Sequence, residues 1–341
     1  MMLALLAFVP LAYESTLICK VPASTFQSYV NCTVLTDQET VAGFTCAFTG
    51  HHGETFAGKP FVWTQGKFVK LPLLPKAEYG HVYGGNDRVL LGSVAIDYRN
   101  RPVKWGPDPK VGWLKPVVTQ ISSIEGSATH IGPDGAIWIQ NGNQLIGNVK
   151  DGRWLPVNFG KFALAGFDAR GKMYGYKFNG LSFGNRPTGT TPGWYFSETW
   201  HELPVIKPSE NDFMENALEA VNPAGVAVGN CQDQLAIWQD GKVTLPLRDK
   251  FRWSFASDIG SSGAVLGTGA IADINGEMVF LWKDGKLTDL TRVVPGIKLG
   301  YANKVNRHGA IAAWGLKKSG EKLDTKSEAM LYLLRPDRSL R

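Results

Sequence analysis

Internal repetition constrains this chain more than any other feature. One phrase runs small residue, two variable residues, aliphatic, Asn/Asp/Gly, two variable, Gly, variable, aliphatic. Its clear copies are ALEAVNPAGVAVG at 217–229, SFASDIGSSGAVLG at 254–267 and YANKVNRHGAIAA at 301–313. SATHIGPDGAIWI at 127–139 and ALAGFDARGKMYG at 163–175 follow the same phrase. Degenerate copies stand at 81–92 and 32–43, where Arg88 and Glu39 replace the glycine found at 135, 171, 225, 263 and 309. A second phrase alternates with the first: small, two apolar, an aromatic, a turn, Lys or Arg, then Leu-Pro or Leu-Thr. It is clearest in PFVWTQGKFVKLP (60–72), LAIWQDGKVTLPL (235–247) and VFLWKDGKLTDLT (279–291). Its aromatic position falls at 63, 105, 149, 196, 238, 282 and 332, a spacing of 42–50 residues, with Val149 the one exception to an aromatic.

Alternating apolar residues closed by Asn/Asp-x-x-Gly or Asp-Gly describe β-hairpins. Two hairpins per repeat make a four-stranded unit that buries little alone and must stack on its neighbours. Seven such units predict an all-β fold: a seven-bladed β-propeller of four-stranded antiparallel blades. A length of 341 residues suggests two domains at about 100–200 residues each, but the repeat makes 15–341 one propeller domain. The last repeat ends on AMLYLL at 329–334 with no clear partner after it. TLICKVP at 16–22 resembles the strand that follows the aromatic hairpin elsewhere, so the N-terminal strand is expected to close the last blade and remove both edges. The register Trp63, Trp105, Trp238 and Trp282 read as packing between blades. Trp113, Trp194, Trp200, Trp253 and Trp314 break the register, which suits stacking on carbohydrate.

Residues 3–12 form an apolar run too short for a membrane span, which needs about 20 residues, and of the length of a signal h-region. Residues 1–14 are therefore read as a signal peptide and the protein as secreted, periplasmic or at the cell surface. A buried strand, and with it an intracellular scaffold, is the alternative. No transmembrane segment is expected. The chain holds 4 Cys, too few for a disulfide scaffold. Cys19, Cys32 and Cys46 leave open a pair, Cys32–Cys46 or Cys19 with one of them, against buried unreactive thiols. The net charge is +6 without a basic run, which argues against nucleic acid as partner.

The phrases resemble the HAF-type extracellular repeats of bacteria. VFLWKDGKLTDL (279–290) and ALEAVNPAGVAVG (217–229) carry the resemblance, although the His-Ala-Phe tripeptide is absent. It implies propeller architecture and export, and it implies no catalytic motif.

Nucleophile elbows, His-Glu-x-x-His and Walker sequences are absent. Gly267-Thr-Gly269-Ala-Ile-Ala272 matches a dinucleotide fingerprint in spacing, but it sits inside a repeat with no helix to receive a pyrophosphate. His51-His52 and the fragment from Asp273 to Glu277 read as loops. No cofactor and no metal are expected. What remains is geometry: the two variable positions of the first phrase lie near a central channel. His130, Glu219 and Asp258 are the candidates for acid–base chemistry. Tyr79, His81, Glu125, Glu215, Trp253, Tyr301 and Lys304 are the candidates for ligand binding. The leading reading is a monomeric, non-catalytic binding module for a polysaccharide or a protein. A propeller lyase or glycoside hydrolase acting on a polar polymer is the alternative.

Overall fold

The computed structural model describes residues 13–22, 28–47, 58–157, 159–178, 190–206, 216–271, 276–317 and 328–337. The alternating phrases become strands, and the strands form seven four-stranded antiparallel sheets. Blade 1 runs outward through Ser28–Leu35, Val41–Ala47, Lys59–Thr64 and Lys67–Lys70. Blades 2 to 6 repeat that order over 79–120, 127–156, 162–202, 216–244 and 251–289. Blade 7 takes Ile297–Val305, Ile311–Lys317 and Ala329–Pro336, then Tyr13–Val21 as its outermost strand. The ring is thus a seven-bladed β-propeller closed by the N-terminal strand, and its described residues include no helix. That strand pairs from Tyr13 opposite Pro336 to Val21 opposite Ala329, so it starts ahead of the boundary at 15.

The turn between the first two strands explains the first phrase. Gly135, Gly171, Gly225, Gly263 and Gly309 have φ of 79–84°, a region that a Cβ disfavours. Where the phrase has Asn or Asp, the side chain caps the turn. Asn306 Oδ1 accepts from the amides of His308 and Ala310, and Asn222 Oδ1 from those of Ala224 and Val226. Glu39 makes the same turn at φ 62°, which gives the first degenerate copy its place.

Strand pairing corrects two of the aromatic positions. The residue two after the turn glycine faces Trp63, Trp105, Val149, Trp238 and Trp282 from Val41, Leu90, Ile137, Ala227 and Val265. In blade 4 the facing residue is Tyr195, not the exposed Phe196, and in blade 7 it is Leu334, not Tyr332. The buried rings fill the spaces between blades, as expected. Trp63 lies between blades 7 and 1, Trp105 between 1 and 2, Trp238 between 4 and 5, and Trp282 between 5 and 6. Trp105 Nε1 donates to Pro72 O at 2.7 Å and Trp238 Nε1 to Pro204 O at 2.8 Å. The Leu-Pro of one repeat is therefore the acceptor for the Trp of the next, which satisfies a buried indole donor.

None of the four cysteines forms a disulfide. Cys32 faces Gly43 and Cys46 faces Tyr29, three rungs apart, so the Cys32–Cys46 pairing does not fit the sheet. Burial pushes the Cys19 and Cys32 thiols up to about 12. Residues 267–271 of the dinucleotide-like run lie on strand Val265–Ile271, where Gly267 and Gly269 make room for Phe280 and Phe251; Ala272 lies outside the described residues.

Closure has a specific latch. The Arg335 guanidinium donates to both carboxylate oxygens of Glu39 in blade 1, at 2.6–3.0 Å, and to Thr16 Oγ1 in the N-terminal strand at 2.7 Å. One side chain thus ties the two ends of the chain to the first blade. Arg335→Ala is expected to lower the unfolding free energy by about 1–2 kcal/mol. Glu39→Gly should cost about 0.5–1 kcal/mol less than Glu39→Ala, because Gly adopts the turn without strain. Urea denaturation of the three variants checks both; equal stability for the two Glu39 variants would contradict the strain argument.

Candidate functional site

Every innermost strand carries a register shift at the same place in the phrase. The ladder skips Thr33, Tyr83, Thr129, Ala165, Glu219, Ser257 and Asn303, one residue per blade. Each skip is a β-bulge, which re-aims side chains and bends the strand. Up to the bulge, alternate residues are buried between blades. The other set is half-exposed or exposed and looks onto the channel: Tyr29, Asn31 and Thr33 in blade 1, or Ala217 and Glu219 in blade 5.

Bulge residues and their neighbours link blade to blade. Thr33 Oγ1 donates to Val82 O at 3.0 Å, and Ser257 Oγ donates to Ala302 O at 2.6 Å. Asn303 Nδ2 donates to Asn31 Oδ1 across the closing junction, at 3.0 Å. Lys304 Nζ lies 3.1 Å from Asp258 Oδ1, and the Val305 amide donates to Asp258 Oδ2 at 2.9 Å. His130 bonds the Ala165 backbone in the next blade and lies 2.9 Å from Thr129 Oγ1 through Nδ1.

All seven blades contribute to one cavity of about 590 Å³ at the end of the channel where the strand 1–2 turns lie. Its wall includes Thr33, Tyr83, Asn86, Thr129, His130, Phe167, Asp258 and Lys304. It shares Gly132, Pro133, Phe167 and Ala169 with a second, larger space of about 850 Å³ between blades 3 and 4. That groove is lined by Trp138, Phe159, Phe167, Tyr195 and Phe196, with Asp134, Arg170 and Glu198. It exists because the innermost strands of blades 3 and 4 pack less closely than those at the other junctions.

Of the residues singled out from sequence, His130, Asp258 and Lys304 line the cavity. Glu219 and Tyr301 face the channel deeper in, and Glu219 is exposed there. Tyr79, His81 and Trp253 lie in the first half of their strands, away from the turn end. His81 packs on Phe44 with ring centroids 4.3 Å apart, and Trp253 lies 5.3 Å from Phe255. Glu125 is exposed just before the innermost strand of blade 3. Glu215, like His51 and His52, lies outside the described residues. Tyr83 is one of the variable positions expected near the channel, whereas Asn86, Pro133 and Phe167, and the whole groove, were not among the sequence candidates.

Of the Trp residues outside the register, Trp113 is buried with Nε1 donating to Asp87 O. Trp194 is covered by Lys172, 3.8 Å from the ring centroid, and by the His201 ring stacked at 3.9 Å. Trp200 carries Lys177 at 4.6 Å and packs on Phe162. Trp314 packs on the core between blades 7 and 1.

The charges of the site interact through one group. Burial pulls Lys304 down, but the Asp258 ion pair and hydrogen bond outweigh it, so Lys304 stays protonated above its usual range. Burial, then the charge of Lys304, lower His130 to about 4, so it is neutral at pH 7. Glu219 is wetted by the channel yet walled by the blades. That desolvation raises its carboxyl, and Lys304 pulls it back in part. Among the described residues no group of three or more His, Cys, Asp or Glu could hold a metal ion. No described helix is long and apolar enough to cross a membrane.

No family model matches the chain, and no curated protein matches it in sequence. Solved structures share its architecture. A chain described as YCF48 bound to D1 peptide superposes with a TM-score of 0.50 at 11% identity, over 96% of this chain and 97% of that one. A chain of a mitotic checkpoint complex gives 0.48 at 9% identity, over 97% and 98%. TolB from Acinetobacter baumannii gives 0.41 at 11% identity, over 87% and 81%. Likeness at such identity speaks to the propeller fold alone.

The histidines set an acid sensitivity. His81 is also lowered to about 4, by burial. A folded value below the unfolded one of about 6.5 means that the native chain binds fewer protons in that window. The contribution is full above pH 6.5 and is lost as pH falls toward 4. The urea midpoint should therefore drop between pH 6.5 and 5, above the carboxylate range, and the drop should shrink in His130→Asn. An unchanged slope in that variant would contradict the assignment.

Proposed function

We propose that this propeller is a non-catalytic binding module that takes a peptide segment of a partner protein at the turn end of its channel. The observation that carries the reading is the continuous space formed by the seven-blade cavity and the groove between blades 3 and 4. Together they offer apolar rings beside a few polar groups, the composition of a recognition site. A peptide as ligand is in keeping with the fold neighbour described as bound to D1 peptide.

Two alternatives fit less well. Stacking on carbohydrate needs open indole faces, and those of Trp194 and Trp200 are covered by lysines while Trp113 is buried. Acid–base chemistry needs free groups, but Asp258 is held by Lys304 and the Val305 amide, and His130 by Thr129 and Ala165. The bonds of Asp258 and the one from His130 to Ala165 are links between blades. Export belongs to the same proposal and rests on the apolar run at 3–12 and on the resemblance to HAF-type repeats. Sequencing the mature N-terminus tests it: a chain that retains residues 1–12 would be intracellular on this reading.

Selection of random peptides on the folded protein, followed by titration, tests the binding reading. Ala169 is exposed and borders both cavity and groove, so Ala169→Trp should block them without touching the core. Selected peptides should lose at least about tenfold in affinity for this variant. Failure to select a binder, or binders indifferent to Ala169→Trp, would contradict the site.

A further inference from the structure

Four junctions of the ring are filled in one way. Trp63, Trp105, Trp238 and Trp282 each wedge an indole between their own blade and the one before it. Trp105 and Trp238 also donate Nε1 to a carbonyl of the preceding connection. At the junction of blades 3 and 4 the equivalent position holds Tyr195, opposite Met173. Its Oη donates to Glu198 O at 2.8 Å, within its own hairpin, so the ring is tied to blade 4 and stays half-exposed. The other two register residues without an indole, Val149 and Leu334, are buried. Between blades 3 and 4 the innermost strands also pack less closely, and there the groove of about 850 Å³ lies open.

Rings make up the wall of that groove. Phe159 lies between Trp138 and Tyr195, with centroids 6.1 and 4.9 Å away, and Phe167 lies 6.0 Å from Trp138. All four border the open space. Phe159, Phe167 and Tyr195 are half-exposed, so an apolar ligand would release water from them. The charges at the edge are largely paired: Asp134 lies 3.0 Å from Lys150, and Arg170 3.2 Å from Asp168. Glu198 is the one charged lining residue without an ion pair among the described residues, and it is exposed at the rim. A floor of rings with paired charges around it is complementary to an uncharged group, because an ion would give up its water on that floor for no counter-ion.

We propose that this groove receives an aromatic side chain of the partner segment, in the wedge that the chain fills with its own indole at four other junctions. A ring there gains edge-to-face or offset contacts and buries on the order of 150–250 Å². The inference rests on the binding reading above and adds what anchors the segment.

Ligand-observed NMR titration tests it, on the wild type, Tyr195→Trp and Phe159→Ala. The probes are the N-acetyl methylamides of tryptophan, phenylalanine, leucine and lysine. Leucine separates a ring from apolar burial alone, and lysine separates it from a cation drawn to ring faces. At least one aromatic probe should bind the wild type, with leucine and lysine at least about tenfold weaker. Tyr195→Trp supplies the missing indole from within, so it should weaken that probe at least about tenfold. Phe159→Ala removes a wall that belongs to a connection between blades and should weaken the probe to the same degree; it decides the question if Tyr195→Trp does not fold. Equal binding of leucine or lysine, no binding of either aromatic probe, or unchanged affinity in the folded variants would overturn the proposal. Selected peptides that Ala169→Trp blocks but that carry no aromatic residue would leave the binding reading standing while this one falls.

Discussion

A four-stranded antiparallel sheet of about 45 residues has two apolar faces and cannot cover either by itself. That constraint governs everything else in this molecule. Each blade must find a blade on both sides, and only a closed ring gives every blade two neighbours. Among the described residues, 297–337 supply three strands of the last blade. The N-terminal strand Tyr13–Val21 supplies the fourth, and Arg335 fastens the join by reaching Thr16 and Glu39 together. The aromatic register positions follow from the same need. They fill the wedge between blades, and the Leu-Pro carbonyl of the preceding connection accepts the indole N–H of Trp105 and Trp238.

The ring also makes the site. Where seven strands meet around an axis, their bulges turn one side chain each out of the ladder. Four of the junctions then use such a residue, or the one after it, to bind the next blade. Polar groups that line the channel are thus mostly structural, which is why Asp258 and His130 are poor candidates for acid–base work. Glu219 differs because its carboxylate serves no junction.

Most of the architecture was legible because hairpin chemistry is local. Gly and Asp-Gly turns, alternation and the Trp positions all sit within a few residues of what they determine. In the degenerate copy at 32–43, Glu39 keeps the glycine's backbone conformation at φ 62°. The aromatic copies at 196 and 332 were misaligned by one and two residues, since only strand pairing distinguishes Tyr195 from Phe196. The site was legible in part. The pair of variable positions flanked by a small residue and an aliphatic breaks strict alternation, and that break is the signature of the bulge. Its consequence, that His130, Asp258 and Lys304 meet from blades 3, 6 and 7, needs the ring. The groove between blades 3 and 4 had no signal in the repeat, because it arises from how two particular blades diverge.

Native-state hydrogen exchange on the strand Tyr13–Val21 tests the central claim most directly, since site and channel exist only if that strand closes the ring. Its amides bonded to Ala329–Pro336 should open with the free energy of global unfolding, together with the third strands of the other blades. Exchange of that strand as a separate unit of low stability, with the remaining blades still protected, would contradict the account.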